Sequence, residues 1–184
     1  SWPLKGDLLA MDSYTYRIRL TSDAEPGTGL GSDVIDNLAP RDHWRKLVIR
    51  ASHVKGLMRD ALREIAGPLE WGRAIETRVF GQRDEERPSV ESVVRLTDAV
   101  ATDSPSTSLI TRTAVGPASG VAQDKSLRTT EAIPVGTIFE GEVYSSADSN
   151  SVEDLAWRLS LLAIPAVGAS RTRGCGACIV DRKS

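Results

Sequence analysis

Two stretches of helical apolar spacing, one after Ser52 and one after Asn150, stand apart with β-forming sequence before, between and behind them. That order constrains the fold more than any other feature. In the first stretch Val54, Leu57, Met58, Ala61, Leu62 and Ile65 recur at helical spacing, with Ser52 as the expected N-cap and Gly67-Pro68 as the stop. In the second, Asn150-Ser151 caps a helix expected to turn Val152, Leu155, Ala156, Leu159, Leu162 and Ala163 inward, and Ser151 and Asp154 have capping-box spacing. Ahead of both, Tyr14, Tyr16, Ile18 and Leu20 alternate with Thr15, Arg17 and Arg19, the pattern of a half-buried strand. Residues 69–80 predict a short helix, and 90–99, 127–132, 137–144 and 177–180 predict strands. Residues 109–122 carry β-formers broken by Gly116-Pro117 and Gly120, which predicts a projecting hairpin or a flexible arm.

The order strand, helix, strand, strand, helix, strand is that of an α+β, ferredoxin-like sheet. With 184 residues and no internal repeat or linker, residues 1–184 are expected to form one domain. No apolar run approaches a membrane span and no signal-peptide core opens the chain, so no membrane partner is expected. The chain opens at Ser1 without a Met, as expected of a processed or trimmed N-terminus. Cys175 and Cys178 form a single CxxC, and His43 and His53 are not at finger spacing. The cysteines therefore read as reduced residues of an intracellular, cytoplasmic protein, and no tightly bound zinc is expected.

The formal net charge is −2, but the charges are segregated. Arg41, Arg45, Lys46, Arg50, Lys55, Arg59 and Arg63 stand against Asp42 and Asp60, a net +5, while residues 84–103 are net −4 and residues 140–154 carry five acids and no base. Arg171, Arg173, Arg182 and Lys183 make the C-terminal end basic again. A protein with basic and acidic faces can bind a polyanion locally while remaining neutral overall.

Two constellations carry that reading. Ser52-His53-Val54-Lys55-Gly56-Leu57-Met58-Arg59 opens a helix, where backbone N–H groups and the dipole meet a basic stripe of Lys55, Arg59 and Arg63. It lacks the Walker pattern. Gly168-Ala169-Ser170-Arg171-Thr172-Arg173-Gly174-Cys175-Gly176 is a glycine-arginine loop suited to phosphates. Two separate basic sites favour an extended polyanion over a single nucleotide. The bland alternatives are snorkelling surface bases and a surface loop.

The chain resembles the RAMP superfamily, specifically the backbone-forming subunits of type III CRISPR RNA-guided effector complexes. Four blocks carry the match. The glycine-rich loop with Asp33-Val34-Ile35-Asp36-Asn37 is similar to the family's catalytic-aspartate loop. Ile49-Arg50-Ala51-Ser52-His53-Val54-Lys55-Gly56-Leu57-Met58-Arg59 resembles I-P-G-S-S-L-K-G-x-x-R. Thr111-Arg112-Thr113 leads to Glu131-Ala132-Ile133-Pro134-Val135-Gly136-Thr137-Ile138-Phe139-Glu140-Gly141, which resembles the thumb followed by E-x-I-P-x-G-T-x-F-x-G. Gly168 to Gly176 is similar to G-G-x-x-S-R-G-x-G. Arg50-Ala51 replaces Pro-Gly, His53 the second Ser, Ala169 a glycine and Cys175 a common aromatic; the chain is also short for such a subunit.

The resemblance implies a modified ferredoxin-like (RRM-like) palm with a projecting thumb hairpin, an insertion at roughly residues 109–126. It implies binding to a CRISPR guide RNA and its target RNA, stacking with copies of itself and association with other effector-complex subunits. Ser52, His53, Lys55, Arg59, Arg171, Arg173 and Gly174 would contact the guide, and Arg112 and Thr113 would lie on the thumb. In catalytic members a loop aspartate cuts target RNA with a divalent metal, Mg²⁺ being the natural choice. Counting back from Lys55, Asp36 lies nearest that position, with Asp33 and Asp42 as competitors, so Asp36 is also the expected metal ligand. The non-catalytic scaffold role stays open, as does guide processing, although no histidine-based site for it is identifiable.

Overall fold

The computed structural model describes residues 11–26, 35–67, 70–82, 89–115 and 122–183. In chain order these form β1 (Asp12–Leu20), β2 (Val48–Ile49), α1 (Ala51–Ala66), α2 (Glu70–Phe80), β3 (Val94–Leu96), β4 (Ala99–Ala101), β5 (Ser108–Val115), β6 (Ala122–Ala132), β7 (Ile138–Ser145), α3 (Val152–Leu162), a 3₁₀ turn (Arg171–Arg173) and β8 (Cys178–Lys183). The main sheet is antiparallel, in the order β2-β4-β7-β1-β8, with β3 also paired to β7. Read from β8 through β1 and β7 to β3 and β4, this is the ferredoxin-like sheet that the order of elements predicts. β5 and β6 form a separate two-stranded hairpin, broader than residues 109–126. Residues 127–132, which read as a strand of the main sheet, are instead the end of β6.

Alternation in β1 buries Tyr16, Ile18 and Leu20, and the same cluster takes in Val54, Leu57 and Met58 of α1, Ile75 and Val79 of α2, and Trp157 and Leu161 of α3. The helices therefore cover one face of the sheet. The other face carries charge, with Arg17 bonded to Glu140 at 2.5 Å.

Three expectations fail for identifiable reasons. Ser52 does not cap α1: the cap position is Arg50, and the Ala51 N–H donates to the Asp98 carboxylate at 2.8 Å, which also receives Arg50 at 2.7 Å. Asp98 supplies this cap from the break between β3 and β4, and that break splits the single strand expected over residues 90–99. On α3 four of the residues expected to face inward face out, because Val152, Leu155, Leu159 and Leu162 are each more than half exposed, while Ala156 is buried as expected. The helix is turned to bury Trp157, whose area outweighs single aliphatics and whose indole N–H donates to Asp154 at 3.1 Å. Ile65 of α1 is likewise exposed. The Ser151 cap holds, its hydroxyl accepting from the Asp154 N–H at 3.1 Å.

The block from Glu131 to Gly141 is explained by packing. Ile133 and Phe139 are core residues, the buried Thr137 hydroxyl donates to the Pro134 carbonyl at 2.7 Å, and Gly136 has φ +86° in the intervening turn. Gly141 pairs with Tyr16 across β1 and β7, and a Cβ there would lie 2.6 Å from the Tyr16 hydroxyl. Gly141→Ala is expected to destabilise the fold by ~1–3 kcal/mol through overpacking. An unchanged urea midpoint would contradict this account of the glycine.

Candidate functional site

A cleft of about 540 Å³ opens between the start of α1, residues 24–26 and 38–41, and the loop at Gly168. Its walls include Glu25, Arg41, Arg50, Ser52, His53 and Gly168. Each wall is tied to the next. The His53 Nε2 accepts the Gly168 N–H at 3.0 Å, which couples the first turn of α1 to the glycine-arginine loop. Buried Glu25 receives the Ser170 hydroxyl at 3.0 Å and the Cys175 thiol at 3.5 Å, and its backbone carbonyl accepts the Ala169 N–H at 2.7 Å.

Those bonds account for the glycines of the loop. A Cβ at Gly168 would run into the Glu25 carbonyl and one at Gly176 into the Val167 carbonyl, so these two let the chain close on itself rather than on a ligand. Gly174, at φ +80° with open space where a Cβ would lie, sits at the exposed tip with Arg171 and Arg173. Cys175 and Cys178 form no disulfide, and burial pushes the Cys178 thiol up to about 11.

Glu131 holds the opposite wall. Arg41 grips it with two N–H donors, at 3.0 and 2.5 Å, the Thr107 hydroxyl donates at 2.6 Å and the Ala39 N–H at 2.8 Å. These partners, Arg41 first, hold the carboxyl down to about 2 against the opposing effect of burial. Residues 36–41 are thereby laid along β6. Asp36 is fixed there by its own N–H to the Thr129 carbonyl at 2.8 Å and by its Oδ2 accepting the Thr129 N–H at 2.6 Å.

Asp36 thus stands exposed at the foot of the hairpin. Asp42 serves its own turn, accepting the Trp44 and Lys46 N–H groups at 2.9 and 2.8 Å, whereas Asp33 lies outside the described residues. Among the described residues no three His, Cys, Asp or Glu side chains gather into a metal-binding group. A divalent cation at Asp36 would therefore be held by this one carboxylate together with phosphate oxygens, a donor set that suits Mg²⁺.

The basic stripe is engaged within the protein. Lys55 donates to the Ser92 hydroxyl at 2.8 Å, Arg59 to the Phe80 and Gly81 carbonyls at 3.0 and 2.7 Å, and Arg63 pairs with Glu76. Arg59 thereby caps the end of α2. Ser52 is exposed beside His53, and Arg112 and Thr113 lie on β5 of the hairpin, paired with Arg128 and Leu127. Asp98 and Glu25 carried no signal of their own in the sequence, and Arg41 and Glu131 carried none of their pairing, since each works through a partner far along the chain.

The RAMP superfamily model matches residues 18–179. The chain belongs to this superfamily. The RAMP fold recurs in a chain of the cryo-EM structure of type III-B Cmr-beta bound to cognate target RNA, with TM-score 0.72, 14% identity and coverage of 93% of this chain and 97% of that one. A chain of the apo type III-B Cmr-beta structure gives TM-score 0.70, 14% identity and 92% and 96% coverage. A chain of a type IV-B CRISPR complex gives 0.66, 10% identity and 94% and 91% coverage. No curated protein sequence matches the chain. Among the described residues no helix is long and apolar enough to cross a membrane.

Two predictions follow from the cleft walls. Glu131→Gln is expected to lower stability by ~1–3 kcal/mol in urea denaturation, since it weakens the grip of the partly exposed Arg41 on a buried side chain. The stabilisation from Glu131 is present above its ordinary value of 4.5 and is lost as pH falls toward about 2. His53 has its pKa lowered from 6.5, by burial first and by Arg171 next, with Asp60 opposing. The unfolded chain then takes up a proton that the folded chain refuses, so stability is full above pH 6.5 and declines as pH falls below it. An NMR titration of His53 with a midpoint at or above 6.5 would contradict the Gly168 contact.

Proposed function

We propose that this RAMP protein is a guide-RNA-binding backbone subunit of a type III CRISPR ribonucleoprotein, stacking along the guide and cleaving complementary target RNA through Asp36. The observation that carries this reading is one cleft lined by the α1 start, Arg41 and Gly168, with the exposed Arg171-Thr172-Arg173-Gly174 tip on the same loop as Gly168. Such a cleft suits a strand passing through, whose phosphates supply affinity while pairing supplies sequence. Arg171, Arg173 and Gly174 take phosphates, with Ser52 and His53 beside them. Lys55 and Arg59 act by fixing α1, and Arg112 and Thr113 reach the paired strands from the hairpin. The outward apolar stripe of α3 supports a place against another copy or subunit, since so large an exposed patch marks an interaction surface. The protein works in the cytoplasm on this reading.

In cutting, the Asp36 carboxylate accepts the proton of a target 2′-hydroxyl, whose oxygen bonds to the adjacent phosphorus as the P–O5′ bond breaks, leaving a 2′,3′-cyclic phosphate and a 5′-hydroxyl protonated by water. A bound divalent cation, Mg²⁺, supplies charge stabilisation at that phosphate. One observation favours the scaffold reading: among the described residues a single carboxylate, with one oxygen already bonded to Thr129, stands at the site.

One experiment separates these readings, using the full chain with guide and labelled target RNA. Asp36→Ala is expected to abolish Mg²⁺-dependent cutting while RNA binding persists. Arg173→Ala is expected to weaken binding across sequences and to reduce the salt slope by about one. Cutting that survives Asp36→Ala removes Asp36 as catalyst, and wild-type protein that binds without cutting is the scaffold.

A further inference from the structure

The turn between residues 41 and 47 carries the most exposed large apolar side chain among the described residues, Trp44, at 72%. A tryptophan left in water on a surface loop normally has a partner to meet. The turn that bears it is firmly built. The Asp42 N–H donates to the Lys46 carbonyl at 2.9 Å, the Arg45 N–H to the Asp42 carbonyl at 3.0 Å, and Arg41 bridges to Leu47. The Asp42 carboxylate is turned back onto the Trp44 and Lys46 N–H groups, and Arg45 adopts φ +65°, a left-handed conformation that a bulky residue rarely takes. Trp44 is thus presented on a rigid support. The His43 ring lies against it, centroids 3.3 Å apart and planes tilted by 42°, which backs the indole from one side.

The surroundings indicate what that surface meets. Arg45 and Lys46, the next two residues of the turn, are exposed as well. Its base is continuous with the cleft, because Pro40 and Arg41 line the cleft wall and Arg41 is held by Glu131. Rigid aromatic rings beside exposed cations, next to a cleft suited to a polyanion, form the standard surface for a base of single-stranded nucleic acid: the rings stack and the cations take the neighbouring phosphates.

We propose that Trp44, backed by His43 and followed by the exposed Arg45 and Lys46, is a stacking platform for an unpaired nucleobase of the RNA strand entering or leaving the cleft. The inference rests on the RNA-binding reading above and adds a base contact to it. A protein contact is the competing use of an exposed tryptophan. The local charge favours RNA, and the stacking leaves a distinct signature: it depends on a base and not on salt.

The test compares the full-length wild type, Trp44→Ala and Trp44→Phe for binding to a fluorescein-labelled oligo(rU) strand and to an abasic strand of equal length. Trp44 is exposed, so both variants are expected to keep the wild-type melting midpoint. Stacking of one base predicts at least about fivefold weaker oligo(rU) binding by Trp44→Ala, near wild-type binding by Trp44→Phe and an unchanged salt slope. On the abasic strand the difference between wild type and Trp44→Ala should vanish. Equal oligo(rU) affinity for wild type and Trp44→Ala overturns the proposal, as does an equal loss on both strands. Unchanged RNA binding with loss of self-association by Trp44→Ala overturns it in favour of a protein contact. If the wild type binds neither strand, the RNA-binding reading falls with it.

Discussion

The bidentate pair between Arg41 and Glu131 is the joint on which the arrangement of the cleft depends. Glu131 ends the hairpin strand β6, Arg41 ends the loop that carries Asp36, and Thr107 and the Ala39 N–H complete the shell around the carboxylate. One buried side chain therefore fixes three segments that are remote in sequence. Such a carboxylate is costly to bury unless every lone pair is used, and here four donors converge on it. Through this joint the hairpin keeps its foot at the palm, Asp36 keeps its place along Thr129, and the 41–47 turn keeps its position at the rim.

The second organising fact is how the charge is spent. A net charge of −2 gives no hint of a polyanion partner. In the fold, Arg17, Arg50, Arg63, Arg78 and Arg158 pair with Glu140, Asp98, Glu76, Glu153 and Asp154. Several acids that look like repulsive faces in the sequence are thus matched internally. The cations presented outward around the cleft are those of the 171–173 turn and the 41–47 turn, so neutrality of the whole is compatible with a positive rim.

Much of the palm was legible because it rests on local periodicity. Alternation in β1, the α1 apolar spacing and the Ser151 cap each need only a few neighbouring residues. The failures share the opposite character. Asp98 caps α1 from a strand break, and Arg59, set by spacing on a surface stripe, closes the end of α2. The orientation of α3 was misread because aliphatic spacing outvoted a single tryptophan, whereas burial is decided by area and by the Asp154 bond to its indole. The E-x-I-P-x-G-T-x-F-x-G block was recognisable as a pattern, yet its physical content, a buried anchor, a turn and a glycine beneath Tyr16, is visible only in three dimensions.

An outward apolar stripe on α3 and a basic-rimmed cleft on the same molecule fit a subunit that is complete only with a protein neighbour and a nucleic acid. The measurement that tests this most directly is nuclease protection of RNA bound by the purified full chain. The account predicts protected fragments in a ladder of regular increments, each step one more stacked copy. RNA digested as fast with saturating protein as without it would contradict the account.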